Sequence, residues 1–319
     1  MKKGFTAILT VLFCANLQAF SQTFCQNKQA NSTPANLEKY VYKTYRTEKG
    51  KEKQLGIGLV RPVDNLPKRK RPLIIGIHSG GFVDFCPFEP CYLKYSENIL
   101  VPNFTARGFI TAAIQYRLTS AFDFNPLNLS DETLKETQYK AVQDARAAIK
   151  YIFENAEKLG VDTENVFLVG TSAGAIISLH AAYLDDEEVP KDLFVKYGGL
   201  AKREKIKGVA SLSGALYDLS YLDGGDKVPL LIVHGTGDPV VPLEKGFYLG
   251  IKHLTPVFGG KAVFESALKK GIDAKAVFYD FGHKYPSRFL SDIFKNVNEF
   301  VGLHLNCSGD QKAAVDARR

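Results

Sequence analysis

Three features of this 319-residue sequence predict an α/β architecture, a mostly parallel central sheet with helices on both faces. Continuous apolar runs, the signature of strands buried on both faces, recur along the chain. Segments with helical periodicity separate them. Each run ends on a polar or glycine-containing stretch, at the side of such a sheet where ligands bind.

In chain order, residues 40–46 and 54–63 alternate apolar with polar and read as antiparallel strands at a sheet edge. Pro62 and Pro67 then punctuate the chain. Residues 71–78 form the first buried strand and residues 109–116 the second. Residues 133–157 place Leu134, Ala141, Val142, Ala145, Ile149, Ile152 and Ala156 on one helical face. The run 166–169 leads through Gly170-Thr171-Ser172-Ala173-Gly174 into a helix over 176–182. Residues 206–212, 228–233 and 274–279 supply three further strands, and 287–301 a closing helix with Phe289, Ile293, Val297 and Phe300 at helical spacing. With no internal repeat or low-complexity tract, residues 22–319 are expected to form a single domain.

The first 21 residues read separately. Lys2-Lys3, an apolar stretch over 5–13 and the small residues around Ala19 and Ser21 match a secretory signal peptide. The stretch is too short to span a bilayer. Cleavage near Ser21 predicts a secreted or periplasmic protein with no stable membrane insertion. The formal charge then falls from +7 to +5, since Lys2 and Lys3 are the charged residues lost. Residues 68–71, Lys-Arg-Lys-Arg, stand just before a strand and read as a solvated turn, so no nucleic-acid partner is expected. Cys14 leaves with the signal, and Cys25, Cys86, Cys91 and Cys307 stay. An even number in an exported chain suggests two disulfides among three possible pairings. Cys86 with Cys91 closes a natural small loop, which would leave Cys25 to pair with Cys307. The sequence has no Cys-x-x-Cys and no histidine cluster, so no metal or cofactor is expected.

The strand ends carry complementary chemistry. His78-Ser79-Gly80-Gly81-Phe82 follows the first buried strand, Ser172 a later one, Gly235-Thr236-Gly237-Asp238-Pro239 another, and Gly282-His283 the last. A serine hydroxyl is a weak nucleophile at neutral pH and needs a base to take its proton and later return it. His283 is the candidate base, and Asp238 the group that fixes its tautomer, with Asp218 as substitute acid. The N–H groups of Gly80, Gly81 and Ala173 are candidate donors to an oxyanion. His78, His180, His234 and His253 fit less well as bases, because they precede a glycine loop, lie in helices or end a strand. Asp144 is expected to anchor backbone from its helix, while Tyr116 and Arg117 brace the core.

Together these residues resemble the α/β-hydrolase fold, and within it the carboxylesterases and hormone-sensitive-lipase-like serine esterases. The resemblance rests on residues 78–82, Tyr116-Arg117-Leu118, Asp144 with its helix, the G-x-S-x-G turn at 170–174, residues 235–238 and His283, in the order Ser, Asp, His. Two departures stand out. Ser79 replaces the first glycine of the commoner His-Gly-Gly-Gly form, and Ala175 stands where many serine peptidases of this fold have a second glycine. The resemblance implies a serine carboxylesterase working through an acyl-enzyme. Segments 79–95 and 119–132, carrying Phe82, Phe85, Phe88, Phe122 and Phe124, are expected to wall the pocket. Their aromatic character suits short-chain or aryl esters, small or polymer-linked, among them acetyl or feruloyl esters of carbohydrate. The alternatives are a peptidase or amidase with the same triad and a non-catalytic binding module of the same fold.

Overall fold

The computed structural model describes residues 33–306, apart from 48, 64–69, 85, 87–88, 121–128 and 225. The expected signal segment 1–21, Cys25 and Cys307 lie outside the described residues.

Eight strands make one mixed sheet. They are β1 (Glu38–Arg46), β2 (Glu52–Val60), β3 (Arg71–Ile77), β4 (Ile110–Ile114), β5 (Val161–Thr171), β6 (Gly208–Leu212), β7 (Leu230–Gly235) and β8 (Ala274–Tyr279). Their spatial order is β8-β7-β6-β5-β3-β4-β2-β1. The pairs β1–β2 and β2–β4 are antiparallel, as expected for the first two strands. All other pairs are parallel.

Four longer helices cover this sheet: α1 (Asp131–Glu154), α2 (Ala173–Tyr183), α3 (Gly260–Lys269) and α4 (Ser287–His304). The strand period of two sorts side chains onto two faces. Leu73, Ile75, Ile77, Leu168, Leu230 and Ile232 join the core that contains α1, α2 and Val263 of α3. Ile74, Phe167, Val169, Leu231 and Val233 face the other way, toward Leu100, Phe104 and the Ile293, Val297 and Phe300 stripe of α4. This double burial explains why the central strands are continuous apolar runs.

Local signals set the helix ends. Ser130 caps α1 by accepting the Thr133 N–H at 3.0 Å, and Asp131 and Glu132 sit in its first turn, where the helix dipole favours negative charge. Helix α2 is buried at every position, and its sequence is apolar apart from Ser178 and His180, which donate to the Gly174 and Ile176 carbonyls. Asp144, fully buried on α1, receives the Arg117 N–H at 2.9 Å, Arg117 Nε at 2.7 Å and Lys43 Nζ at 2.7 Å. That carboxylate ties β1, the chain after β4 and α1 together, the anchoring role expected of it.

Two features left no readable pattern. Residues 91–107 form a series of short helical turns, and Ala215–Leu216, Val257–Gly259 and Lys245–Gly246 make a small three-stranded sheet. Strands of two or three residues are too short to show alternation.

Candidate active site

Ser172 stands between β5 and α2 with φ 54° and ψ −118°, a conformation that non-glycine residues adopt only when their surroundings impose it. The constraint is visible in the flanking glycines. A Cβ on Gly170 would lie 2.2 Å from the Gly174 carbonyl oxygen, and one on Gly174 would lie 2.0 Å from that of Ile77. The close approach of β5, α2 and β3 thus depends on both glycines, and the Ser172 N–H is held by the Leu212 carbonyl at 2.7 Å. This strand–turn–helix geometry lifts the hydroxyl off the carboxyl end of the sheet.

The loop after β8 brings His283 to it. His283 Nε2 lies 2.8 Å from Ser172 Oγ, and Nδ1 lies 2.7 Å from Asp238 Oδ2. Asp238 comes from the turn after β7, where its Oδ1 accepts the N–H groups of Val240 at 2.8 Å and Val241 at 3.0 Å. The two loops are joined by the Gly237 N–H to the Phe281 carbonyl at 3.1 Å. Burial alone would raise the Asp238 pKa, but hydrogen bonds from His234, His283 and the two valine N–H groups hold the carboxyl well below its ordinary range. It is therefore an anion in this site. Asp218, the substitute acid, is committed elsewhere, since its Oδ1 accepts the Ser220 N–H and caps the turn Leu219–Asp223.

Gly80 and Gly81, with φ 128° and 59°, lead into Phe82 at φ 65°. Three consecutive positive-φ residues form the sharp bend after β3, and the Val83 N–H closes it on the Gly80 carbonyl at 3.0 Å. Tyr116, expected to brace the core, also braces the bend: its hydroxyl donates to the His78 carbonyl at 2.9 Å, and its ring stacks on the His78 imidazole at 4.4 Å. His78 Nδ1 lies 2.6 Å from the Ser79 carbonyl, and burial pushes the ring's pKa down to about 4. Ala173 opens α2, so its N–H has no acceptor within the helix.

Beside this bend is a cavity of about 190 Å³ whose lining includes His78, Asp84, Glu89, Tyr92, Gln115 and Leu118. The disulfide Cys86–Cys91, with Cα atoms 5.5 Å apart, forms part of its wall. One member of the expected aromatic wall, Phe82, is corrected here. Phe82 is turned into the core, edge-on to Tyr116 and 4% exposed, and the described lining mixes polar and apolar groups. Phe85, Phe88, Phe122 and Phe124 lie outside the described residues. Among the described residues, no group of three or more His, Cys, Asp or Glu could hold a metal ion, and no helix is long and apolar enough to cross a membrane.

Two neighbours of the site escaped the sequence reading. His234 reaches Asp238 Oδ2 at 3.3 Å, and Tyr285 donates to Ser213 Oγ at 2.8 Å, tethering the His283 loop to the end of β6. The spacing of four between His234 and Asp238 was a readable signal. Nothing in the sequence pointed to the Tyr285–Ser213 bond, because the partners are 72 residues apart.

Similarity to known proteins follows the same lines. Residues 63–224, just over half of the chain, match the family described as BD-FAE. Probable carboxylesterase 5 of Arabidopsis thaliana is 27% identical over 165 residues, 49% of this chain and 43% of that protein. Probable carboxylesterase 1 of the same plant is 28% identical over 155 residues, 45% of this chain and 43% of the relative. The chain thus matches less than half the length of these relatives. Among solved structures, Thermogutta terrifontis esterase 2 phosphorylated by paraoxon superposes with a TM-score of 0.56 at 20% identity, covering 83% of this chain and 93% of that one. The propionate-bound form of that esterase gives a TM-score of 0.56 at 19% identity, over 88% and 98% of the two chains. The sheet order, the strained serine turn and the family match agree: this chain has the α/β-hydrolase fold and belongs to the BD-FAE family.

Proposed function

We propose that residues 22–319 are the mature domain of an exported serine carboxylesterase, using Ser172 as nucleophile, His283 as base and Asp238 as its orienting acid. The observation that carries this reading is the continuous line Ser172 Oγ, His283 Nε2, His283 Nδ1, Asp238 Oδ2, with contacts of 2.8 and 2.7 Å. Ser172 Oγ attacks the ester carbonyl as its proton passes to His283 Nε2. The oxyanion so formed accepts hydrogen bonds from the N–H groups of Gly80, Gly81 and Ala173, each worth about 3 kcal/mol in the barrier. Collapse expels the alcohol, which takes the proton from His283. Water then attacks the acyl-enzyme by the same route and releases the acid. Asp238 remains ionised throughout and stabilises the imidazolium.

The substrate reading takes the cavity beside the Gly80–Gly81 bend as the site of the alcohol part. Its described lining includes the acceptors Asp84 and Glu89, with Tyr92 and Gln115 as polar neighbours. Such a wall favours an uncharged alcohol bearing hydroxyl groups and disfavours anions. Acetyl or feruloyl esters carried on carbohydrate fit these requirements. The Cys86–Cys91 bond suits an oxidising compartment and supports export, secreted or periplasmic.

Turnover of p-nitrophenyl acetate tests the chemistry. Wild type is expected to hydrolyse it and Ser172→Ala to lose nearly all activity, with a fluorophosphonate probe labelling only Ser172. Undiminished activity in the variant would sink the assignment. Faster cleavage of the matching p-nitroanilide would favour an amidase, and an unlabelled wild type a binding module.

A further inference from the structure

Asp238 Oδ2 faces two imidazoles. One belongs to His283. The other belongs to His234, the penultimate residue of β7, which is fully buried. His234 Nε2 lies 3.3 Å from Asp238 Oδ2 and 3.1 Å from the Val241 carbonyl oxygen. Both atoms are acceptors, so Nε2 must carry the ring hydrogen and share it between them. The rest of the ring is immobilised. Gly260, at the start of α3, packs so closely that a Cβ there would lie 2.5 Å from His234 Nδ1 and 2.8 Å from Ile232 Cγ2. His234 Nδ1 is buried without a partner, an unusual cost for a ring in a protein core. An aliphatic side chain would remove that cost, so the Nε2 contacts are what the imidazole contributes.

Asp238 thus has both oxygens saturated. Oδ1 takes two backbone N–H groups, and Oδ2 takes His283 Nδ1–H and His234 Nε2–H. We infer that His234 is a positioning residue for the triad: its Nε2–H fixes the Asp238 carboxylate so that Oδ2 addresses His283, and it draws charge from that same oxygen. The inference rests on the triad reading above. Removal of this donor has two consequences. The carboxylate gains freedom to rotate away from His283, which lowers turnover. When it does address His283, its oxygen is more basic and stabilises the imidazolium more strongly, so the base stays protonated to higher pH. The acid limb of the pH–rate profile therefore moves up.

The test compares wild type, His234→Leu and His234→Gln on p-nitrophenyl acetate from pH 5 to 9. Glutamine can place an amide N–H near the position of imidazole Nε2. His234→Leu is expected to lower kcat about tenfold with KM within about twofold, and to raise the acid limb of kcat/KM by roughly half a pH unit. His234→Gln is expected to restore the wild-type limb and most of kcat. An unchanged profile in His234→Leu, or equal losses in both variants, overturns the proposal. Should His234→Leu fail to fold, His234→Asn, whose amide is too short to reach Asp238, makes the same comparison. Fluorophosphonate labelling of wild type separates the two readings: labelled Ser172 with an unshifted limb defeats only the role of His234, whereas no labelling defeats the triad itself.

Discussion

Gly174→Ala probes the packing that holds Ser172 in its strained turn. The added Cβ would sit 2.0 Å from the Ile77 carbonyl oxygen and 2.7 Å from that of His78. A carbon–oxygen contact settles near 3.3 Å, so the end of β3 must withdraw by about 1.3 Å or α2 must tilt by as much. Neither element has room to do so cheaply, since Ile77 and all of α2 are buried. Overpacking of this kind costs about 1–3 kcal/mol, which in a chain of this size lowers Tm by roughly 2–5 °C. The functional cost is larger. The displaced segment is the one that carries Gly80 and Gly81, and a misplacement of about 1 Å reduces turnover about a hundredfold. Gly271→Ala serves as control, because Gly271 has open space around it and its φ of +73°, which Gly174 does not share, confines the cost to backbone strain. It should lose about 1 kcal/mol and leave turnover unchanged. Thermal denaturation and p-nitrophenyl acetate hydrolysis measure both quantities. Gly174→Ala with wild-type Tm and kcat/KM would refute the argument that close packing imposes the turn.

Other perturbations should follow the same physics. Asp238→Asn is expected to lower kcat by about 10³–10⁴ near neutral pH, measured on the same ester, because the amide can present N–H to His283 and reverse its tautomer. Asp144→Ala should lower stability in urea by about 3 kcal/mol, since it removes the buried carboxylate that pairs with both Lys43 and Arg117, with turnover per folded molecule unchanged. His78 and His180 each have a pKa that burial depresses from 6.5 to about 4, so the folded state resists a proton that the unfolded chain accepts. Their contribution to stability is fully present above pH 6.5 and is lost as pH falls toward 4, on the order of 2 kcal/mol per ring by pH 5. Urea midpoints between pH 7 and 5 should record this fall, and His180→Phe should flatten it. Cys86→Ser with Cys91→Ser opens a six-residue loop and should cost about 2 kcal/mol of stability on the same urea scale.

The central sheet was readable because its strands are buried on both faces and so are apolar without interruption. Residues 71–78 correspond closely to β3 for this reason, whereas 274–279 match β8 although it is an edge strand in which Tyr279 alone is buried. The candidate triad was readable because such a sheet delivers its chemistry at strand ends, and Ser172, Asp238 and His283 each follow one. His234 was set aside as a strand-end histidine. Its link to Asp238 depends on a turn that folds the chain back within 3.3 Å, which a linear spacing only hints at. Phe82 departs from its expected place for a related reason. Phe82 counted as a wall residue by proximity in sequence, but its φ of 65° turns the side chain into the core. Composition of a loop does not reveal which of its side chains face inward.

The sheet order has a final consequence, for the timing of inactivation. β8 lies at the sheet edge, paired only with β7, and five of its six residues are at least partly exposed, Phe278 at 37% among the large apolar ones. His283 hangs from this strand, whereas Ser172 hangs from β5 in the middle of the sheet. Edge elements open with less free energy than central ones. On heating, the base should part from the nucleophile while the interior of the sheet is still intact, so catalytic loss would begin below the global melting temperature.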